Sequence, residues 1–348
     1  MKKYIKNIVP VAALLLTMGT ATSCVGDLDV TPINPNIQTG LNIDGLFNKC
    51  YANFALAGNG GANGDCDIDG IDGGTSGFVR QTFNANELPT DEAICGWGDD
   101  GIAGFCYNSY NATNPMLQGL YARITTGIAY CNQYLAEAGD QDATKLAEIR
   151  FLRAYEYFSL MDGWGNIPFT LQPLTKPERY TRAQVYEWLE KELLEIEPSL
   201  SDAKAKKSTD AGYGRVDKAA CWLLLSRLYL NAEVYTGTPQ WEKAKSYAKK
   251  VMDSSYKLNT KSVNGWSAYQ MLFMGDNGET DAAYEGIFPL LQDGLKTTSW
   301  GTTLFLLAST YDQDMHANPN NPSATNGTDQ AWGGNRARPD LVKKFFPN

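Results

Sequence analysis

A tryptophan flanked by glycines lies in an aspartate-rich stretch of the sequence. Trp97 follows Gly96, precedes Gly98, and has Asp99 and Asp100 next along the chain. Flat aromatic rings bind sugars by stacking on the apolar faces of pyranose rings, and carboxylates accept hydrogen bonds from the hydroxyl groups. Because the glycines leave the indole uncovered, we predict a carbohydrate-binding site at Trp97. Structural packing of the ring is the alternative.

Three further aspartates have the spacing of a metal-binding loop. Asp65, Asp67 and Asp69 alternate with other residues ahead of Gly70, as in the first half of an EF-hand loop. The twelfth position is Ser76 and not the glutamate that would complete the calcium shell. The pattern predicts a structural calcium ion at these three carboxylates, with a solvated turn as the alternative.

Catalytic patterns are scarce. The chain has a single histidine, His316. The histidines needed for a histidine-based triad or a multi-histidine metal site are therefore almost absent. The sequence contains no GxSxG or Walker pattern. A glycosidase needs only two carboxylates at a set separation, and Asp91 or Glu92 with Asp99 or Asp100 is the pair that would serve. A glycoside hydrolase is therefore the enzymatic alternative to a binding protein.

The first 23 residues have the pattern of a signal peptide. Three lysines precede an apolar run that starts at Val9 and is too short to span a bilayer. Small residues then lead to Cys24, as in a bacterial lipobox, with Ala21 in place of the usual leucine. We predict a lipid anchor on Cys24 and an extended tether over residues 24–40. An ordinary secretory signal is the alternative.

The composition is that of an acidic globular protein. The 348 residues carry a net charge of −9, which becomes −12 without residues 1–23 because these hold three lysines and no acid. Such a surface argues against nucleic acid and anionic lipid head groups as partners. Past the signal peptide, the sequence has no apolar run long enough to cross a membrane. A lipid on Cys24 would therefore be the membrane anchor.

Six cysteines remain after Cys24, an even number that permits three disulfides in an exported chain. Cys131 and Cys221 fall within helical patterns and are predicted to be small buried hydrophobic residues. The better disulfide candidates lie in less regular sequence: Cys50, Cys66, Cys95 and Cys106. Their pairing is open.

Apolar residues recur at helical spacing over much of the chain. The central pattern begins after Asp142, which is suited to cap a helix, and is predicted to end at Gly163. Thr181 and Asp217 are predicted to cap later helices, and Trp241 to face inward from another. Helices are predicted at residues 43–56, 116–136, 142–162, 181–196, 218–232 and 240–252. Alternating small and large apolar residues on successive helices are typical of tetratricopeptide-type pairs.

Two regions lack this periodicity. Residues 57–114 and 261–340 are largely irregular. The first contains a glycine- and aspartate-rich loop, and the second contains the polar run 318–327, with Ile287–Leu291 as its one strand-like piece. Long irregular regions commonly form binding surfaces. We therefore predict a mainly α fold of the alpha-alpha superhelix type. In it, tetratricopeptide-like helix pairs over about residues 115–258 pack with loop-rich binding portions in one domain, residues 41–348.

Several blocks, taken together and in order, resemble the SusD-like (SusD/RagB) family of outer-membrane lipoproteins from Bacteroidetes. They extend over nearly the whole chain: Cys24 with Asp27-Leu-Asp29, Gly74-Thr-Ser-Gly-Phe-Val-Arg80, Glu87-Leu-Pro-Thr-Asp-Glu92, Phe151-Leu-Arg-Ala-Tyr155, Gly163-Trp-Gly-Asn-Ile-Pro168, Gly214-Arg-Val-Asp-Lys-Ala-Ala220 and Trp332-Gly-Gly-Asn-Arg-Ala-Arg-Pro339. Family members usually continue past this length, so we expect the chain to be truncated at its C-terminus.

The resemblance implies a cell-surface glycan-binding lipoprotein without enzymatic activity or a required cofactor. Such a protein captures oligosaccharides, here starch or another α-glucan, for import through a TonB-dependent, SusC-like outer-membrane transporter. The fold implied is a tetratricopeptide-like helical bundle with a loop-rich binding portion. A scaffold that docks the transporter without binding a ligand is a further alternative.

The resemblance also assigns site residues. In starch-binding relatives an arginine, a tryptophan and an aspartate in this region contact the glycan, and Arg80, Trp97 and Asp99 are the matching positions. Asp100 is the neighbouring acceptor, and Trp300 and Trp332 are the candidates to complete an aromatic arc. An asparagine that helps to bind starch has no counterpart here, which leaves the identity of the glycan open.

Overall fold

A computed structural model describes residues 41–58, 66–139, 142–293, 297, 303–312 and 331–347. Residues 43–348 form one compact unit, and residues 1–42 fall in a separate one. The predicted signal peptide, Cys24 and the predicted tether at residues 24–40 lie outside the described residues. Within the described part of the chain, no helix is long and apolar enough to cross a membrane.

The described residues are mainly α-helical, as predicted. The longer helices are α1 (Ile43–Ala55), α3 (Phe78–Glu87), α5 (Pro115–Glu137), α6 (Ala143–Trp164), α7 (Arg182–Ile196), α8 (Lys218–Leu230) and α10 (Trp241–Met252). Shorter ones are α2 (Gly73–Ser76), α4 (Ile102–Cys106), α9 (Ala232–Thr236), α11 (Thr303–Ala308) and α12 (Pro339–Phe345). We call α5 to α10 the helical stack. Within it α5 packs on α6, α6 on α7, and α8 on α10.

Helix α6 is the centre of the core. Ile149, Leu152, Leu160 and Met161 on this helix are fully buried against the neighbouring helices. Each such aliphatic side chain gains about 1.5–3 kcal/mol on leaving water, which isolated helices cannot obtain. The segment with the central helical pattern of the sequence is therefore also the centre of the core.

Side-chain caps define the helix starts that the sequence predicts. Asp142 accepts from the amide of Thr144 at 2.9 Å, and Asp217 accepts from Ala219 at 2.8 Å. Thr181 forms a capping box at the start of α7. The predicted end of α6 at Gly163 is wrong, because the helix continues to Trp164 and ends at Gly165. Gly165 has a positive φ of 75°, the conformation that favours glycine at this position.

Two short antiparallel strand pairs accompany the helices. Strand β2 (Ile167–Phe169) pairs with β3 (Glu178–Tyr180), which follows closely in the sequence. Strand β1 (Ala93–Cys95) pairs with β4 (Asn335–Ala337), so that Cys95 lies opposite Asn335. The second pair joins the two loop-rich regions over a long sequence separation.

Several local predictions need correction. Helix α3 lies within a segment that showed no clean period, and Ile287–Leu291 is not a strand. Phe288 instead packs its ring against Tyr51, Phe54 and Phe151 of the core. Trp241 is 58% exposed because it lies in the first turn of α10, before the face that packs on α8.

The cysteine predictions have two different outcomes. Cys131 and Cys221 are buried small side chains, as expected. The six described cysteines are free thiols, so the expected disulfides among Cys50, Cys66, Cys95 and Cys106 are absent from this structure. The thiol of Cys106 lies 3.4 Å from the amide nitrogen of Cys95 and contacts backbone there.

Candidate functional site

The pairing of β1 with β4 brings Trp97 and Trp332 together. Just beyond β1, the amide of Gly96 donates to the carbonyl of Gly334 at 3.0 Å. The indole Nε1–H of Trp97 then donates to the carbonyl of Trp332 at 3.2 Å. Two predicted site residues that are 235 positions apart are thereby fixed next to each other.

Phe305 of α11 joins these two tryptophans into a continuous set of rings, which we call the aromatic arc (Trp97, Phe305 and Trp332). The ring centroids of Trp97 and Phe305 are 5.5 Å apart, and those of Phe305 and Trp332 are 5.3 Å apart. All three side chains are half-buried. The planes of neighbouring rings are inclined by 67° and 47°, so the arc is curved and not flat.

Arg80 on α3 supports the arc from beneath. Its guanidinium donates to the carbonyl of Gly74 at 2.8 Å and to the Asp99 carboxylate at 2.5 Å. The same group lies 4.7 Å from the ring centre of Phe305 and 5.5 Å from that of Trp97, in the range of cation–π attraction. Arg80 is only 4% exposed. The guanidinium is enclosed and engaged within the protein, and the role of Arg80 as a donor to sugar hydroxyls stays a prediction.

The carboxylates beside the arc are more accessible. The Asp99 side chain is 43% exposed although one of its oxygens holds Arg80, and Asp100 is exposed in the following turn. A carboxylate has about four lone-pair sites, so the ion pair leaves Asp99 able to accept from other donors. These two residues supply the hydrogen-bond acceptors that the sequence predicted next to Trp97.

Trp97 itself is more enclosed than its glycine neighbours suggested. One face of the indole lies against the backbone of Gly334, so close that a Cβ atom there would overlap the six-membered ring. Gly98, in contrast, has open space around it. Trp97 is thus both packed and accessible, and the alternatives of binding and packing do not exclude each other.

A small second core lies under this region. It is separate from the main core and consists of six buried residues: Leu88, Cys95, Ile102, Phe105, Cys106 and Met116. Trp97 packs against its edge. Asn114 links this core to the helical stack, since its side chain caps α5 and also donates to the carbonyl of Gly101 at 2.9 Å. The aromatic arc therefore rests on few apolar side chains.

The predicted calcium loop has a different environment from the one expected. Asp67 lies 2.6 Å from the Lys49 ammonium and 2.7 Å from the Arg123 guanidinium, and accepts from the Tyr130 hydroxyl. Burial alone would raise the pKa of the Asp67 carboxyl, but Lys49 and Arg123 outweigh it and lower the pKa below its usual value. These two cations occupy the place of a metal at Asp67, so this carboxylate does not fit a calcium ion.

The other two carboxylates add little to such a site. Asp69 is exposed, and Asp65 lies outside the described residues. Among the residues that the structure describes, no group of three or more acidic, cysteine or histidine side chains is arranged to hold a metal. Trp300, like Asp65, is outside the described residues, so its predicted part in the arc stays a prediction.

Two of the carboxylates nominated for a glycosidase lie beside basic side chains. Asp99 forms an ion pair with Arg80, and Glu92 lies 3.7 Å from Lys344. Phe305, which is not among the residues predicted from the sequence, lies between Trp97 and Trp332 in the site. The apolar run Leu304-Phe-Leu-Leu307 indicates a helix, but nothing in it distinguishes a ring that faces Trp97 from one that faces the core.

Comparison with known proteins agrees with this architecture. Residues 87–230 match a SusD-like family model described as starch-binding and associated with the outer membrane. The chain is 39% identical, over 99% of its length, to the starch-binding protein SusD of Bacteroides thetaiotaomicron. It spans 60% of the length of that relative.

Two solved structures share the fold. One is surface glycan-binding protein A from Bacteroides thetaiotaomicron in complex with laminarihexaose, with a TM-score of 0.60 and 18% identity over 87% of this chain and 60% of that one. The other is a laminarin-binding SusD-like protein, also with a TM-score of 0.60 and 18% identity, over 90% of this chain and 65% of that one. With the helical stack, the family model and the identity to SusD in agreement, the chain belongs to the SusD-like family.

Proposed function

We propose that this protein binds oligosaccharides at the aromatic arc and does not transform them. The observation that carries the proposal is the arc itself, in which three half-buried rings lie beside exposed carboxylates. Apolar faces of sugar rings stack on such surfaces, while their hydroxyls donate to carboxylates. Binding of this kind needs no cofactor and no covalent step.

We propose an α-glucan such as starch as the ligand. The inclined rings of the arc suit a chain that curves from one sugar to the next, whereas a flat chain would favour coplanar rings. The 39% identity to a starch-binding protein supports the same choice. Laminarihexaose and laminarin, each named for one of the two solved structures of the same fold, suggest the competing ligand for a test.

The setting we propose is the outer face of the outer membrane. The chain would be anchored by lipid on Cys24 and would deliver oligosaccharides to a SusC-like TonB-dependent transporter. The family description as outer-membrane-associated supports the location. The lipobox-like sequence before Cys24 supports the anchor. Mass spectrometry of protein extracted from membranes tests the anchor, which a chain with an unmodified Cys24 would contradict.

Calorimetric titration with maltoheptaose tests the ligand proposal. We expect the Trp97→Ala variant to bind about 10- to 100-fold more weakly, on the scale of aromatic hot spots. Trp241→Ala is the matched control because it removes an exposed tryptophan from α10, outside the arc. Equal affinity of the wild-type protein and Trp97→Ala would remove the arc from consideration.

Assays of the wild-type protein distinguish the alternative functions. Release of reducing sugar from maltoheptaose would establish a glycoside hydrolase and contradict the proposal. Tighter binding of laminariheptaose than of maltoheptaose would keep the arc as a glycan site but change the ligand. A protein that binds neither sugar and still co-purifies with a transporter would be a docking scaffold.

A further inference from the structure

The backbone of residues 332–334 forms a ledge under the Trp97 indole. Gly334 presents no side chain to the ring, and a Cβ atom at this position would overlap three atoms of the indole. The ring is rigid, so it could not relieve that overlap by changing its own shape. It is also held at one edge by the hydrogen bond from its Nε1 to the carbonyl of Trp332. The tilt of the indole is therefore set by main-chain atoms.

The ledge is held from its other side by the end of α11. The amides of Gly334 and Asn335 both donate to the carbonyl of Ser309, at 2.7 and 2.8 Å. The amide of Gly333 donates to the carbonyl of Tyr311 at 2.8 Å. Because Phe305 is on the same short helix, these bonds connect the position of the ledge to the position of the middle ring of the arc.

A buried side-chain pair completes this support. Ser309 is fully buried, and its hydroxyl accepts a hydrogen bond of 2.7 Å from Nδ2 of Asn335, which is 6% exposed. A buried amide that loses its partner is costly, so the pair fixes one arrangement of the two segments. Ser309 and Asn335 lie behind the ledge and contact it through the backbone.

We propose that Gly334 is a positioning residue for the glycan site, and that Ser309 and Asn335 hold it in place. In this arrangement Gly334 allows the indole to lie flat on the ledge, with its accessible surface aligned with Phe305 and Trp332. Any larger residue at position 334 lifts the ring out of the curve of the arc. The inference rests on the proposed glycan binding at the arc and specifies how the arc keeps its shape.

The first test is the Gly334→Ala variant, titrated with maltoheptaose. We expect about tenfold weaker binding, because the tilted indole no longer stacks in line with its neighbours. Gly163→Ala is the matched control, since Gly163 has open space around it near the end of α6, away from the arc. This control should bind as the wild type does.

A double-mutant cycle separates positioning from a general structural effect. If Gly334 acts through the indole, Gly334→Ala costs no further affinity in a Trp97→Ala background, where the overlapping ring is gone. An additional loss of the same tenfold in that background would overturn the inference. Near-UV circular dichroism of the ligand-free proteins gives a second measurement. The Trp97 contribution, taken as the difference from the Trp97→Phe counterpart, should change in Gly334→Ala and stay as it is in Gly163→Ala.

The spectral test keeps the two proposals distinguishable. A wild-type protein without affinity for glycans contradicts the proposed function, while the Trp97 spectrum still decides whether Gly334 sets the ring position. An unchanged affinity together with an unchanged Trp97 spectrum overturns the inference alone. If Gly334→Ala does not fold, Ser309→Ala takes its place, because it removes the Asn335 partner without adding atoms. A wild-type affinity and Trp97 spectrum in Ser309→Ala would then overturn the inference.

Discussion

From residue 115 to residue 252, each long helix packs on a helix close to it in the sequence, whereas the aromatic arc is assembled from residues 97, 305 and 332. The helical stack buries a large apolar core, and the arc lies on the edge of a core of six residues. Main-chain hydrogen bonds between distant segments hold the arc in place. The stack therefore supplies most of the stability, while the shape of the binding surface depends on a few backbone contacts.

The buried ionic groups show the same contrast. Arg123 on α5 is completely buried, donates to the carbonyls of Ala57 and Ser76, and lies 2.7 Å from Asp67. It thereby attaches the loop before α2 to the helical stack. Arg80 has the corresponding place under the arc, but its partner Asp99 is close to half exposed. We expect the first ion pair to matter for folding and the second for the geometry of the site.

The largest effect is expected from removing the charge of Arg123. Arg123→Met leaves Lys49 as the remaining cation beside Asp67 and removes a donor from each of the carbonyls of Ala57 and Ser76. Breaking a buried pair from one side typically costs about 3–5 kcal/mol of stability. Urea unfolding measures it, with Lys243→Met on the exposed surface of α10 as the control. A loss of less than about 1 kcal/mol in Arg123→Met would contradict a role of this buried ion pair in folding.

A substitution in the aromatic arc should weaken glycan binding more than it lowers stability. Trp332→Ala removes an end ring, and we expect glycan affinity to fall by about 1–3 kcal/mol while the unfolding transition changes little. Titration with maltoheptaose and urea unfolding of the same sample test both halves of this statement. A drop in stability larger than the drop in affinity would show that Trp332 serves mainly as packing.

The pH dependence of the free energy of unfolding should reveal the buried carboxyl group of Glu156. Glu156 on α6 is 1% exposed, and one carboxylate oxygen accepts from Nδ2 of Asn53 at 2.7 Å. Burial raises the pKa of Glu156 well above its usual value, and the neighbouring Cys131 adds to the rise. The folded protein therefore keeps a proton that the unfolded chain loses above about pH 4.5. Stability conferred by this group is present at low pH and declines as the pH rises towards the folded pKa, by up to about 1.4 kcal/mol per pH unit.

Glu156→Gln removes that proton exchange and retains an acceptor for Asn53. We expect the variant to lose the decline in stability above pH 5 and to be at least as stable as the wild type at pH 7. Urea unfolding at several pH values measures both. Identical pH profiles for the two proteins would contradict a raised pKa of Glu156. Glycan affinity should be the same in both, since Glu156 lies in the helical stack.

The smallest effect is expected at an exposed ion pair of the stack. Lys249 in the last turn of α10 lies 2.9 Å from Asp253, which directly follows the helix, and both side chains are mostly exposed. Surface pairs of this kind contribute about 0.3–0.5 kcal/mol. Lys249→Ala should therefore leave urea unfolding almost unchanged and glycan binding as it is. A loss as large as that of Arg123→Met would show that burial is not what separates the two pairs.

Much of the helical stack is determined by the sequence alone. Helical spacing of apolar residues and the capping side chains of Asp142, Thr181 and Asp217 locate helix starts to within a residue or two. These signals are local, since a cap involves residues two or three positions apart. The same reasoning placed Trp97 beside accessible carboxylates.

Tertiary structure decided the rest of the site. No local pattern pairs β1 with β4, because strand pairing depends on segments that are distant in the chain. That pairing makes Trp332 a neighbour of Trp97, brings in Phe305, and places the backbone of Gly334 under the indole. It likewise decides the burial of Arg80, since the exposure of a side chain depends on what packs over it. Residue types fix which interactions a site can make, but long-range packing decides which side chains remain accessible to make them.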